Sequence, residues 1–179
     1  MKYVALLRGI NVGGNAKVEM KRLKVVFEEL GYTDVKTYIN SGNVIFETTD
    51  KQSTLDNVIE KAIKKEFNLA VPVVVRSQKE IVAIEKEVPK TWLNNTEMKT
   101  DVLFLWDEYN KKEVLKDIGI KPEIDTVKYV HGALVWNVKR KDVTRSGLLK
   151  IIGTPFYKKV TIRNINTLRK LHQLMQADK

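Results

Sequence analysis

Apolar positions along this chain follow two periods, one suited to strands and one to helices. Tyr3 to Arg8 opens with an apolar run of strand length, and a polar, glycine-rich segment follows it. Met20, Leu23, Val26, Phe27 and Leu30 fall at helical spacing, and Gly31 ends the stripe. Val35 to Ile39 and Val44 to Thr48 read as two strands joined by the turn Asn40-Ser41-Gly42-Asn43. Leu55, Val58, Ile59, Ala62, Ile63 and Phe67 return to helical spacing. Val71 to Val75 is a fourth strand. Its Pro72 has no N–H to give to a ladder, which predicts a sheet edge. Ser77 with Glu80 makes a capping-box pattern that opens a short helix ending before Pro89.

After a polar stretch the same order recurs. Asp101 to Trp106 reads as a strand and Lys111 to Ile118 as a helix. Thr126 to Val130 and Ala133 to Lys139 are strands around His131-Gly132. Thr144 to Ile152 is a helix, Lys159 to Arg163 a strand, and Leu168 to Met175 lies in a last helix. The pattern predicts an α+β protein of two tandem ferredoxin-like (βαββαβ) plaits, each followed by an extra helix. The first repeat spans residues 1–89, a linker 90–100 and the second repeat 101–179. Val4-Ala5-Leu6-Leu7, Val73-Val74-Val75 and Val102-Leu103-Phe104-Leu105 are apolar on both strand faces, which predicts cover on both sides of a sheet.

Composition narrows the chemistry. The chain has no cysteine, which excludes disulfides, thiolate metal sites and cysteine nucleophiles. Its two histidines, His131 and His172, argue against a histidine-based metal centre or triad, and no metal or cofactor is expected. No apolar run approaches the roughly 20 residues of a membrane span, so the expectation is a soluble cytoplasmic protein without a membrane partner. The formal charge is +10, and its distribution says more than its size. Residues 1–125 are balanced, whereas residues 126–179 hold 12 basic side chains against Asp142 and Asp178 alone. A one-sided basic field attracts phosphates or nucleic acid; it also serves solubility.

Three motifs are candidates for a site. The first is Arg8-Gly9-Ile10-Asn11-Val12-Gly13-Gly14-Asn15, between a strand and a helix, where glycines let backbone N–H groups approach a phosphate. It lacks both the Lys-Ser/Thr of a P-loop and the spacing of GxGxxG. The second is Tyr38 to Val44, whose simplest reading is a tight hairpin turn. In a split βαβ unit these two segments lie at one end of the sheet, so Arg8, Asn11, Gly13, Gly14, Asn40, Ser41 and Asn43 should converge. The third is Thr161 to Thr167, where Asn164, Asn166 or Thr167 can cap the last helix. Alternatively, Arg163, Asn164 and Asn166 at that helix start form an anion site, joined by a basic patch of Lys139, Arg140, Lys141 and Arg145. Ser146 and Lys150 share a helix face, but nothing beside them supplies an oxyanion hole.

These three motifs, in order and over nearly the whole chain, resemble the domain-of-unknown-function 1697 family, which is bacterial for the most part. The resemblance implies two ferredoxin-like plaits and carries over no activity, substrate or catalytic residue. The chain departs from the family pattern at Glu19, where a proline is expected before the helix.

Three function classes stay open at this stage. A binding module for a phosphate-bearing small molecule or nucleic acid leads, on the charge and the polar clusters. The third strand has Phe46 as its only aromatic, unlike the RNA-recognition signature, so nucleic acid would be held by loops and phosphate contacts. An enzyme acting on a small anionic substrate in a cleft between the repeats is the alternative, and it lacks an evident general base. A structural or partner-binding protein is the third, with the asparagines as turns and caps alone.

Overall fold

The computed structural model describes residues 1–14 and 16–177. Asn15 of the glycine-rich loop, and Asp178 of the charge count, lie outside the described residues. Among the described residues eight strands and five α-helices follow one another. They are β1 (Lys2–Leu7), α1 (Met20–Glu29), β2 (Thr33–Tyr38), β3 (Asn43–Glu47), α2 (Gln52–Phe67), β4 (Val73–Ser77) and α3 (Gln78–Glu87). Then come β5 (Met98–Leu105), β6 (Asp125–Val130), β7 (Ala133–Lys139), α4 (Gly147–Lys150), β8 (Val160–Asn164) and α5 (Ile165–Gln176).

The strands build two four-stranded antiparallel sheets, ordered β2-β3-β1-β4 and β6-β7-β5-β8. Pro72 directly precedes β4, which is an edge strand as the missing N–H requires. The chain divides into two compact units, Met1–Lys79 with the C-terminal segment from Gln173, and Glu80–His172. The first three residues of β5 come from the stretch read as linker. They pair with the end of β7, Met98 opposite Lys139.

In the first unit, one set of alternate strand residues packs under the helices. Tyr3, Ala5 and Leu7 of β1 meet Phe46 of β3, Leu23 and Phe27 of α1, and Leu55, Ile59 and Ile63 of α2. Tyr32 stacks on Phe46 at 4.7 Å between centroids, and Phe27 approaches Phe46 edge-on at 5.3 Å. Residues of the opposite parity, Val4, Leu6, Ile45 and Val74, are equally buried, so both sheet faces are covered as the double-apolar strands predict. The second unit repeats this with Leu103, Leu105, Leu134 and Trp136 against Val114, Ile118, Leu148, Ile151 and Phe156.

Two helices expected in the second half form differently. Lys111 to Ile118 is not an α-helix; Asp107–Tyr109 and Lys112–Lys116 are two 3-10 turns. Gly119, at φ +61°, stops the segment before it is long enough to recover the cost of helix nucleation. Thr144 to Ile152 keeps one α-turn, α4, between the 3-10 segments Arg140–Arg145 and Ile151–Gly153. Gly147 opens that turn, and Gly153 and Pro155 prevent its continuation. Where the first unit has the 16-residue α2, the second therefore carries an irregular arm from Lys139 to Lys159.

Among the described residues no helix is long and apolar enough to cross a membrane.

Candidate functional site

The loop after β1 and the β2–β3 turn do meet, and Asn11 joins them. Its Nδ2 donates to the Val18 carbonyl and to the Asn40 carbonyl, both at 2.9 Å. Its Oδ1 accepts the Val18 N–H at 2.8 Å. One amide thus closes the loop on itself and fastens it to the turn. Asn43, fully buried, donates to the Tyr38 carbonyl at 2.9 Å and to Ser41 Oγ at 3.1 Å, which fixes the turn from inside. The Leu7 N–H donates to the Gly42 carbonyl at 2.8 Å, and the Arg8 N–H to the Pro72 carbonyl at 2.9 Å. Arg8 is half-buried, whereas Asn11, Gly13, Gly14, Asn40 and Lys17 are exposed. A polar depression of about 380 Å³ opens here, lined by Asn11, Gly14, Lys17, Glu19 and Asn40 among others.

The backbone at this tip is strained. Five non-glycine residues among those described have positive φ, and Asn11 (+55°), Ala16 (+48°) and Ile39 (+50°) belong to these two segments. Asparagine tolerates that region, but a β-branched isoleucine pays for it in steric overlap. Ile39 is also 49% exposed, so burial of its side chain does not explain the strain. Asn11→Ala should lower stability by about 2 kcal/mol, because three hydrogen bonds go at once. Urea denaturation checks this, together with faster amide exchange at Val18; unchanged exchange there would mean that Asn11 is not the clamp.

The second unit also fastens this loop to the facing turn with an asparagine, through different bonds, and the sequence reading missed it. Asn110, in the loop after β5, accepts the Gly132 N–H at 2.7 Å and the Tyr129 hydroxyl at 3.0 Å through Oδ1. Its amide nitrogen lies 3.3 Å from a ring nitrogen of His131. The backbone bonds recur as well. The Leu105 N–H donates to the Gly132 carbonyl at 3.0 Å, and the Trp106 N–H to the Lys159 carbonyl at 3.4 Å. Setting the loop after Trp106 beside the loop after Arg8 would have exposed Asn110.

The third motif sits elsewhere on its sheet. Arg163 and Asn164 end β8, opposite Val102 and Asp101 in the middle of β5, whereas the Asn110 clamp lies beyond the C-terminal end of β5. Asn164 is a helix cap: its Oδ1 accepts the Thr167 N–H at 2.9 Å. Arg163 is buried, and its Nη1 donates to Thr161 Oγ1 at 3.0 Å and to the Ile162 carbonyl at 2.9 Å. Burial pulls its guanidinium down to about 10. The equivalent first-unit residue is Arg76, opposite Val4, which is also buried and donates to the Val75 carbonyl at 2.9 Å. An arginine in each of the two apolar outer strands is a signal visible once the repeats are aligned.

Asn166 and Arg140, one member of the basic patch, meet at Asn94. Asn166 Nδ2 donates to the Asn94 carbonyl at 3.2 Å, while Arg140 donates to Asn94 Oδ1 and the Asn95 carbonyl, each at 2.9 Å. Lys139 and Lys141 are exposed beside Arg140, and Arg145 pairs with Asp142 at 3.4 Å.

Ser146 is consumed in structure. Its hydroxyl donates to Asp125 and its Oγ accepts the Leu148 N–H at 3.0 Å, which caps α4. The buried Asp125 also accepts N–H groups of Lys121 and Gly147, both at 2.9 Å. Burial acts to raise its carboxyl pKa, but these donors outweigh burial and hold it below the usual carboxylate value. Asp125 gave no sequence signal, since its partners Ser146 and Gly147 lie 21 and 22 residues away and Lys121 contributes only its main-chain N–H. Among the described residues no group of three or more His, Cys, Asp or Glu side chains could hold a metal ion.

Comparison with known proteins agrees with the fold and leaves the chemistry open. No curated protein matches the chain. A solved structure of a conserved bacterial protein from Streptococcus pneumoniae is similar at 26% identity and a TM-score of 0.85, over 98% of each chain. The family model described as "Protein of unknown function (DUF1697)" matches residues 1–136. This chain belongs to the DUF1697 family.

Proposed function

We propose that the protein is a binding module for a phosphate-bearing ligand, seated at the tip formed by the β1–α1 loop and the β2–β3 turn. The observation that carries this reading is the cluster of left-handed backbone around the polar depression: Asn11, Ala16 and Ile39, with the exposed Gly13 (+62°) and Gly14 (+79°). Strain of this kind is retained where the surroundings over-determine it, as at ligand clamps. Open space beside both glycines leaves their backbone accessible, and Lys17 and Arg8 supply positive charge. The strand order of each sheet, and the recurrence of the strand-end backbone bonds and of a buried arginine, support two ferredoxin-like plaits related by duplication, residues 1–89 and 101–179.

Isothermal titration with inorganic phosphate, a nucleoside monophosphate and a short RNA, at low ionic strength, tests the reading. Binding should weaken about tenfold in Lys17→Ala and in Arg8→Ala. Heat with none of the three ligands, or binding indifferent to both variants, would overturn it.

A further inference from the structure

The arm from Lys139 to Lys159 combines two features that the proposed ligand site does not use. It carries seven basic side chains, Lys139, Arg140, Lys141, Arg145, Lys150, Lys158 and Lys159, against the single acid Asp142. It also presents aliphatic side chains outward. In Leu148-Leu149-Lys150-Ile151-Ile152, residues three apart share a side of the helical path. Leu148 and Ile151 are 4% and 2% exposed and enter the core, whereas Leu149 and Ile152 are 40% and 56% exposed. The turn thus has two apolar sides, one buried and one facing solvent, with the exposed Lys150 between the outward pair in sequence.

We propose that this arm rests on an anionic phospholipid surface, with Leu149 and Ile152 entering the acyl boundary and the lysines meeting lipid phosphates. Charge complementarity commits the surface to an anionic partner. The outward aliphatic pair selects lipid over nucleic acid, because bases stack on aromatic side chains and gain little from leucine and isoleucine. Long lysine side chains suit the role, since their stems lie along apolar surface while the ammonium stays with the headgroups. Among the described residues no helix is long and apolar enough to span a bilayer, and lying on its surface in this way is a different contact that needs no such helix.

Vesicle flotation tests the proposal with the full chain. Phosphatidylcholine vesicles containing about one-third phosphatidylglycerol should carry the protein at low salt, and pure phosphatidylcholine vesicles should not. Lys141→Gln and Lys150→Gln should each weaken binding about fivefold. The double variant Leu149→Ser with Ile152→Ser touches exposed positions only, and should reduce vesicle binding while leaving any affinity for a short RNA unchanged. Circular dichroism confirms that each variant is folded. Absence of anionic-vesicle binding overturns the proposal, as does binding that ignores the aliphatic pair. Capture of the arm by RNA with no affinity for vesicles overturns it in favour of nucleic acid.

Discussion

Asp125→Ala should cost this protein about 3–5 kcal/mol of folding stability, the largest loss expected from any one side chain discussed. The carboxylate is buried and receives the Ser146 hydroxyl and the Lys121 and Gly147 N–H groups. Alanine leaves these donors facing each other without their acceptor. Asp125 ties the start of β6 to the start of α4, so the loss should be felt across the arm. The dependence on pH follows from the lowered pKa. A carboxyl whose folded value lies below its unfolded value contributes stability that is full above the unfolded pKa and fades as pH falls through the folded one. The gap between wild type and Asp125→Ala should therefore stay level from neutral pH to about pH 5 and narrow below about pH 4. Urea denaturation at a series of pH values measures this. A gap under about 1 kcal/mol at neutral pH, or one that widens in acid, would show that the carboxylate is not held by these donors.

The second large effect is steric. Gly42→Ala should destabilise by about 3 kcal/mol, from left-handed backbone and overpacking together. Gly42 has φ +80°, and a Cβ there would stand 2.7 Å from both Leu7 Cβ and Ile10 Cδ1. Ile10 has some freedom to move; Leu7 Cβ is fixed to the central strand. Gly13→Ala is the matched comparison, with φ +62° and nothing within 4 Å of the added carbon. It should lose only the conformational part, about 1 kcal/mol. Denaturation midpoints of the two variants separate the contributions, and equal losses would mean that the crowding under Gly42 is not felt.

Much of the fold was legible because its central strands are apolar on both faces and its long helices on one. The unbroken run Tyr3 to Leu7 and the stripe Leu55-Ile59-Ile63 are direct prints of the core on the sequence. The second half was harder where helices are short. Lys111 to Ile118 has apolar spacing suited to a helix, yet its burial is achieved by 3-10 turns, which share much of that spacing over one turn. The convergence of Asn11 and Asn40 was legible from topology, since both lie beyond one end of neighbouring strands. Arg163 was visible as a charge but not as a buried one: its neighbours Ile162 and Asn164 suggest a strand end at the surface, while its register opposite Val102 puts it on a covered face. Asp125 was illegible, because two of its three donors, the Ser146 hydroxyl and the Gly147 N–H, come from a turn far along the chain and the third is a main-chain N–H that any residue supplies.

The bonds that close the end of each central strand come from main-chain N–H groups: Leu7 and Arg8 in one half, Leu105 and Trp106 in the other. Main-chain donors place no demand on side-chain type. The closure at each lip therefore does not depend on the side chain there: a guanidinium stands at one lip and an indole at the other with corresponding main-chain bonds in place. Substitution at residues 8 and 106 should accordingly leave both closures, and with them the shape of each sheet end, intact.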